Sequence, residues 1–344
     1  MTPLFVGYQL RDDHRFIDTV IEEREAVKEV YFSWPGIANG RNTLPLEQGV
    51  MEWEVLERQY ADLQELHKAG LGMNLLLNGN CYGAESLARS FYRHIGDLID
   101  RLGADLNLGS ITTTSPVIAR FVRQNFPDLE IRASVNMEIG TREGVEYLAE
   151  LMDGFYVKRE NNRNIGAVTE FSRICRALGK KVYMLANSGC LNFCSARVFH
   201  DNLVSHEVEL MKMDNAFEFK GICRDFMKDE AHRHRWIQLT NWIRPEDIYR
   251  YDGIIDGIKL ATRVSSTPEL IVRAYAKRHY TGNLLMLTEP DLSSVFLPVV
   301  LNAGRLTDEF FEKTSGCSRR CAECGYCESL YDRVAETLPA EYLF

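Results

Sequence analysis

The amino-acid sequence predicts a (β/α)8 barrel with a long insertion between strands seven and eight and a cysteine-rich C-terminal extension. Eight short apolar runs alternate with amphipathic stretches, as in repeated β-α units around a parallel sheet. A chain of 344 residues accommodates eight such units. We assign residues 1–265 to the barrel, with the insertion at about 190–250, and residues 266–344 to the extension.

The eight apolar runs are the predicted strands, taken in chain order. Each is short and is bounded by polar or turn-forming residues, which is typical of strands buried on both faces. The runs are FVGYQ at 5–9, VKEVYFSW at 27–34, GMNLLLN at 72–78, ADLNLGS at 104–110, EIRASVN at 130–136, GFYVKRE at 154–160, KVYMLAN at 181–187 and IDGIKLATR at 255–263.

The stretches between these runs have the spacing of amphipathic helices. Pro116 stands where the first turn of a helix tolerates proline, and Gly179 stands where a helix ends. Helices are predicted at Ser86–Leu102, Ser115–Asn125, Thr141–Met152 and Ile165–Leu178.

Composition narrows the class of protein. The net charge of −9 and pI near 5.5 argue against a broad nucleic-acid-binding face, which needs clustered Lys and Arg. The one dense basic segment, His232–Arg235, is predicted to be a solvated helix face or loop. No apolar stretch reaches the roughly 18–20 residues of a membrane helix, so no membrane association is expected.

Cysteine usage indicates reduced thiols. Disulfide scaffolds are short secreted chains with more than roughly 8–10% cysteine, whereas this chain has 9 cysteines in 344 residues. The opening MTPLFVGYQLRDDHRF lacks the apolar region of a secretory signal. We therefore expect a cytoplasmic protein.

Three cysteines follow the seventh predicted strand and predict a metal or iron–sulfur site at the carboxyl end of the barrel. Cys190 and Cys194 form a C-x3-C pair, and Cys223 lies in the insertion. Cys81 follows the third strand and is one candidate for a fourth ligand, a tail cysteine being the other. Cys175 lies on an amphipathic helix and is predicted to be a buried apolar thiol.

Four more cysteines lie within eleven residues of the tail. Their spacing, C-x3-C-x2-C-x2-C, is the bacterial ferredoxin pattern run backwards, in which one thiol serves a second cluster. Two [4Fe–4S] clusters that exchange one ligand between loop and tail are one hypothesis, and a zinc site in the tail is the alternative. These thiols belong to Cys317, Cys321, Cys324 and Cys327.

Polar residues at the strand ends outline a binding site on the same rim. Four amides are substrate-binding candidates: Gln9, Asn78, Asn136 and Asn187.

Charged residues complete the predicted rim. Arg159, Lys259 and Arg263 are predicted to hold a carboxylate or phosphate. His200 and His206 are predicted to move protons near neutral pH. No G-x-S-x-G, P-loop or G-x-G-x-x-G motif is present, and no hydrolase nucleophile stands out.

Two segments resemble the collagenase-like peptidase family U32. They are LANSGCLNFCSARVFHDNLVSHE at 185–207 and, after Cys223, NWIRPEDIYRYDGIIDGIKLATR at 241–263. The resemblance implies a (β/α)8 barrel and, in several members, an oxygen-sensitive [4Fe–4S] cluster used in oxygen-independent hydroxylation of tRNA or ribosomal RNA bases or of quinone precursors. It also implies that Cys190, Cys194 and Cys223 are ligands, with Lys259 and Arg263 facing an anionic group.

The chain departs from that family pattern in its closely spaced loop cysteines, in Ala261 and Thr262 before the family arginine, and in the four-cysteine tail. With the acidic charge, these departures favour a small-molecule or peptide substrate over RNA. We expect an iron–sulfur enzyme with one or two clusters. The alternatives are a peptidase or hydrolase with structural zinc, and an electron-relay subunit paired with a heteromeric partner of the same family.

Overall fold

The computed structural model describes residues 1–41, 52–339 and 341, and it confirms the predicted (β/α)8 barrel. Eight parallel strands pair in chain order, and the first strand also pairs with the eighth, which closes the barrel. Each predicted run overlaps one strand, but the run at 104–110 shares only Ser110 with its strand, because residues 104–106 still belong to the preceding helix. The strands are β1 (Leu4–Gly7), β2 (Val27–Phe32), β3 (Gly72–Leu77), β4 (Ser110–Thr113), β5 (Glu130–Ala133), β6 (Gly154–Tyr156), β7 (Lys181–Leu185) and β8 (Gly257–Leu260).

The strands are buried on both faces, which explains why they read as nearly continuous apolar runs. Their outer faces pack with the surrounding helices in one large core. A smaller cluster fills the barrel interior and includes Phe5, Tyr31, Tyr156, Tyr183 and Leu185. The centre of the barrel is therefore packed, and a binding site is expected at its carboxyl end, as in other barrels of this kind.

Polar side chains fill the amino-terminal half of the barrel. The guanidinium of Arg132 donates two hydrogen bonds to the Glu29 carboxylate, at 2.6 and 2.7 Å. Ser110 donates to the same carboxylate and accepts a hydrogen bond from Asn74. Because every partner in this buried group is satisfied, it stabilises the closed end of the barrel.

Helices follow the strands around the barrel, and short helices make up the insertion and the extension. The helices are α1 (Arg15–Glu22), α2 (Glu52–Lys68), α3 (Arg89–Leu106), α4 (Pro116–Asn125), α5 (Arg142–Glu146), α6 (Ile165–Ala177), α7 (Arg197–Ser205), α8 (Glu207–Leu210), α9 (Ile222–Phe226), α10 (Glu230–His234), α11 (Trp236–Leu239), α12 (Pro268–Ala276), α13 (Ser293–Phe296), α14 (Glu309–Thr314), α15 (Cys321–Cys324) and α16 (Tyr326–Val334). Short 3-10 helices occur at Gly83–Leu87, Val135–Met137, Arg159–Asn161, Pro245–Tyr251, Leu284–Leu287 and Ala303–Arg305.

The helix boundaries follow local chemistry. Helix α4 begins at Pro116, and the Ser115 hydroxyl accepts a hydrogen bond from the Ile118 amide, as expected of a cap. The helix predicted from residue 86 instead begins at Arg89, because Ala88 has extended backbone after a 3-10 turn. The helix predicted at 141–152 is regular only over Arg142–Glu146, with turns beyond it.

The insertion and the extension pack on one another. Helices α7 to α11 lie between β7 and β8, as predicted, whereas the eighth barrel helix, α12, lies beyond the predicted boundary at residue 265 and packs on α1. Strands β9 (Val299–Leu301) and β10 (Ala335–Thr337) pair antiparallel. Trp242 stacks on Phe310 at 5.1 Å, which joins the two segments. In the described part of the chain, no helix is long and apolar enough to span a membrane.

Candidate functional site

The loop after β7 places Cys190 and Cys194 at the carboxyl end of the barrel. Ser188 and Gly189 run beside Glu289, and the Gly189 amide donates to the Glu289 carbonyl at 2.8 Å. A Cβ at Gly189 would lie 2.9 Å from the Thr288 hydroxyl and 3.0 Å from the Pro290 carbonyl. Only glycine fits this contact, which explains the glycine directly before Cys190.

Cys223 joins these two thiols from the insertion. A Cβ at Gly221 would lie 3.3 Å from the Cys223 Sγ and 3.5 Å from the His200 Cε1, so His200 and Cys223 share one side of this turn. Burial raises the pKa of Cys223, and the neighbouring thiols of Cys190 and Cys194 raise it further. We call Cys190, Cys194 and Cys223 the loop thiols.

Two arginines, unmarked by any sequence motif, lie near the loop thiols. Arg41 and Arg197 are both within electrostatic range of Cys190. Arg41 pairs with Glu289 at 3.3 Å, and Arg197 pairs with Glu160 at 3.1 Å. The cations thus have carboxylate partners as well as a thiol.

Lys259 lies on β8 inside the barrel, and Arg263 follows the end of β8. Lys259 is buried with its Nζ 3.8 Å from the centre of the Tyr31 ring, and burial lowers its pKa well below the ordinary value. The acidic groups that act on it, Glu29 and Glu289, are engaged by Arg132 and Arg41.

Arg263 is held by neutral oxygens. Its Nη1 donates to the Arg41 carbonyl at 3.0 Å and to the Asn39 side chain at 3.4 Å. A Cβ at Gly7 would lie 2.5 Å from the Arg263 Cγ and 2.7 Å from the Tyr31 ring, so the glycine of β1 makes room for this arginine. The buried cation has the character of an anion-binding group.

The four amide candidates and Arg159 lie at the rim but differ in the hydrogen bonds that they form. The Asn136 side chain accepts a hydrogen bond from Arg159 at 2.5 Å, and Asn78 accepts one from the Gly40 amide at 3.1 Å. Gln9 donates to the Ser265 carbonyl, and its own oxygen is buried without a partner among the described residues.

Asn187 differs from the other amides because both the nitrogen and the oxygen of its side chain are hydrogen-bonded to the backbone. It is fully buried, donates to the carbonyls of Ala261 and Leu287, and accepts from the Ala261 amide at 2.6 Å. It therefore fastens β7, β8 and the extension together.

The four tail cysteines lie together at the surface, and we call them the tail thiols. The pKa of Cys327 is raised to about 11. Burial is the main cause, and the other three thiols also raise it. The Arg319 amide donates a hydrogen bond to the Cys317 Sγ at 3.3 Å. The tail thiols are Cys317, Cys321, Cys324 and Cys327.

Arg163 lies behind the tail thiols and is the third cation that sequence reasoning missed, after Arg41 and Arg197. It is buried with its guanidinium carbon 5.5 Å from the Trp242 ring and 5.2 Å from the Phe310 ring. Burial lowers its pKa to about 10, and its electrostatic partners include Cys327 and Cys317. Its Nε has no hydrogen-bond partner in the described part of the chain.

Cys81 meets the insertion at His206. Its thiol is hydrogen-bonded to His206, which lowers the pKa of Cys81 and raises that of His206. The structure thus joins two residues that the sequence offered for separate roles, as a metal ligand and as a proton carrier. No sequence signal connects them, because the contact depends on how the insertion folds back over the β3 loop.

The two thiol groups suit an iron–sulfur cluster in donor chemistry. Soft thiolate donors are the ligands of such clusters. Arg163 is buried and has no carboxylate partner among the described residues, so it suits a negatively charged metal–thiolate group. Among the described residues, no three His, Cys, Asp or Glu side chains already stand in metal-binding geometry. The predicted ligand sets therefore stay predictions.

Comparison with known proteins gives two informative matches. An uncharacterized protease of Methanocaldococcus jannaschii is 23% identical over 314 residues, covering 89% of this chain and 88% of the relative. The solved structure of a U32 peptidase superposes with a TM-score of 0.54 at 16% identity, covering 76% of this chain and 92% of that one. No protein-family model matches the chain. The two matches support the predicted resemblance to the U32 family.

Proposed function

We infer that this U32-like chain is an iron–sulfur-dependent enzyme that acts on an anionic small molecule or peptide at the carboxyl end of its barrel. The observation that carries the proposal is the meeting of three loop thiols with a rim that contains buried cations. Cys190 and Cys194 come from the β7 loop and Cys223 from the insertion, at the end of the barrel where such folds hold their active sites.

Three protein thiols leave one cluster position for another ligand. Cys190, Cys194 and Cys223 would hold the cluster, which supplies redox or Lewis-acid chemistry when bound. The proposal requires thiols that stay reduced, which fits a cytoplasmic location.

The protein's own residues would bind and orient the substrate. Arg263 and Arg159 supply guanidinium donors for a carboxylate or phosphate, the groups that arginine binds in a bidentate manner. Lys259 is buried against Tyr31, and burial lowers its pKa. It would accept a proton from the substrate or, once protonated, attract the substrate's negative charge. His200, beside Cys223, would move a proton at the rim.

The reaction class that best fits is the oxygen-independent hydroxylation or a related redox modification implied by the family resemblance. The net charge of −9 favours a small anion or a peptide over RNA, because RNA binding needs clustered basic residues. A protein partner of the same family would supply electrons in a heteromeric version of this proposal.

Anaerobic purification followed by iron, sulfide and zinc analysis tests the proposal. We expect the triple variant Cys190→Ser, Cys194→Ser and Cys223→Ser to lose about four irons per chain relative to the wild type, with reduced absorbance near ~400 nm. Cys175→Ser is the matched control, because Cys175 is buried in α6 away from the site. Stoichiometric zinc without iron in the wild type would overturn the proposal in favour of a hydrolase.

A further inference from the structure

Residues 37–41, which we call the strap, follow β2 and cross the carboxyl end of the barrel. The Arg41 carbonyl accepts a hydrogen bond from Arg263, beyond β8, at 3.0 Å. A Cβ at Gly40 would lie 2.9 Å from the side-chain nitrogen of Asn136, which follows β5. Since β5 and β8 are three strands apart in a closed barrel of eight, a segment that touches residues beyond both strands lies over the opening.

The strap occupies two residues that are predicted to bind substrate. The Arg263 Nη1 donates to the Asn39 side chain at 3.4 Å as well as to the Arg41 carbonyl. The Gly40 amide donates to the side-chain oxygen of Asn78 at 3.1 Å. A substrate that used these side chains would therefore have to displace the strap.

The side chain of Arg41 ties the strap to the insertion and to the extension. Its Nε lies 3.3 Å from the Glu289 carboxylate, and its Nη1 lies 3.9 Å from Asp201 on α7. The carbonyl of Glu289 accepts the hydrogen bond of the Gly189 amide, directly before Cys190. The strap is therefore fastened beside the loop that carries the first of the loop thiols.

The strap has space beside it and a conformationally free residue before it. Among the described residues, a cavity of about 570 Å³ is lined by Ile37 and Asn39 of the strap, by Phe91 of α3 and by Val208 of α8. Gly36 is exposed at a φ of 77°, and no described residue beyond its chain neighbours lies within 4 Å of its Cβ position. Glycine adopts this conformation readily, and such loop positions commonly serve as hinges.

We propose that a small anion opens the strap by taking the place of the Arg41 carbonyl and the Asn39 side chain on Arg263. An anionic oxygen accepts a stronger hydrogen bond from a guanidinium than a neutral amide oxygen does. The anion therefore displaces the strap, the Gly40 amide leaves Asn78, and the Asn78 side chain can bind the same ligand. This inference rests on the proposed function for anion binding at the rim, and it adds that the chain itself closes the site.

Hydrogen exchange of the whole chain, purified anaerobically and followed by mass spectrometry, tests the proposal. The probes are succinate and inorganic phosphate, and the one that acts at the lower concentration identifies the preferred anion. We expect exchange in the strap to accelerate by about 5-fold or more, because the amides of Gly40 and Arg41 lose their side-chain acceptors. Exchange in β4 should not change.

Variants separate displacement of the strap from general loosening. Arg263→Met should accelerate exchange in the strap without a probe, and neither probe should change it further. Arg173→Met is the matched control, because Arg173 is an exposed arginine of α6 that pairs with Glu170. Thermal unfolding checks that each variant folds.

A second variant keeps Arg263 and weakens only the strap. Asn39→Ala removes the acceptor that serves both Arg263 and the Arg41 amide. We expect the preferred probe to bind this variant a few-fold more tightly than the wild type by calorimetry, since the strap competes less. A merely structural role for Asn39 would not tighten binding.

Two results overturn the proposal. A probe that binds while exchange in the strap stays unchanged or slows shows that the strap is a fixed part of the site. Failure of both probes to bind the wild type and Asn39→Ala shows that Arg263 does not exchange the strap for an anion. Iron content of the same wild-type sample judges the proposed function separately, so a strap that opens in a protein with zinc and no iron would overturn that function alone.

Discussion

The loop thiols and the tail thiols have the same donor chemistry in opposite settings. The loop group has three cysteines, lies at the barrel rim, and has nearby arginines that also pair with carboxylates. The tail group has four cysteines at the surface, and the buried Arg163 behind it has no carboxylate partner in the part of the chain that the structure describes. Closed four-ligand sites are typically structural or electron-carrying, whereas sites with an open position are typically catalytic.

The comparison therefore favours a catalytic role for the loop thiols and a structural or electron-carrying role for the tail thiols, which cysteine spacing alone does not distinguish. The electrostatic neighbours of Cys223 are Cys190 and Cys194, and those of Cys327 are the other tail thiols. This grouping favours a separate ligand set in each region over exchange of one ligand between two clusters. Catalysis is then expected at the loop, with the tail as a separate centre.

Removing the tail thiols should produce the largest effect. We expect a variant with all four replaced by serine to lose about four irons and to keep those of the loop. The measurement is iron and sulfide analysis after anaerobic purification, with Cys175→Ser as control. Loss of iron from both regions would contradict the separation and support the exchanged ligand. The four residues are Cys317, Cys321, Cys324 and Cys327.

Removing the cation behind the tail should produce the next largest effect. In a protein whose loop thiols are serine, Arg163→Met should make the reduction potential of the tail centre more negative, because a buried positive charge favours the more negative reduced state. A redox titration followed by electron paramagnetic resonance measures this shift. Arg173→Met is the matched control, since Arg173 is exposed on the following helix and pairs with Glu170. Equal shifts in both variants would refute a specific role for Arg163.

A side chain added beside Arg263, on the barrel side of the comparison, should lower stability moderately without changing the tail. Gly7→Ala places a Cβ against Arg263 and Tyr31, and we expect it to lower the free energy of unfolding by about 1–3 kcal/mol. Thermal or urea unfolding measures the loss, and tail iron should be unchanged. Gly109→Ala is the control, because no described residue other than its chain neighbours lies within 4 Å of its Cβ position. Equal stability of the two variants would show that the rim adjusts freely.

The smallest effect is expected where the two regions touch. The Arg319 guanidinium lies 5.0 Å from the Phe193 ring, which joins the tail to the loop between Cys190 and Cys194. Arg319→Gln should cost no more than about 0.5–1 kcal/mol of stability, the usual size of an exposed cation–π contact. Unfolding curves and iron content measure it. Loss of loop iron in this variant would mean that the tail holds the loop in place.

The fold could be predicted because the strands of a closed barrel are buried on both faces and therefore stand out as apolar runs. Local chemistry also placed α4, whose start follows from Ser115 and Pro116. The helix predicted at 141–152 was too long, because amphipathic spacing continues through the turns that follow α5.

The site was predictable only in part. Cysteine spacing grouped the thiols, but Arg163 has no periodic signal, since its role comes from burial between Trp242 and Phe310. The pairing of Cys81 with His206 depends on contacts between segments far apart in the chain. Spacing reveals ligands that are near in sequence, whereas counter-charges and hydrogen-bonded pairs require the fold.

The docking of the tail bears on how the protein matures. The Ile165 amide at the start of α6 donates to the Ser315 carbonyl, just before Cys317, at 3.0 Å. The tail can settle only on a barrel whose sixth unit is already formed, and the ribosome makes the tail after the barrel. The loop thiols are therefore synthesised before the tail thiols. An iron-delivery system would meet the two groups in that order, and a shortage of iron late in synthesis would leave the tail, rather than the rim, without metal.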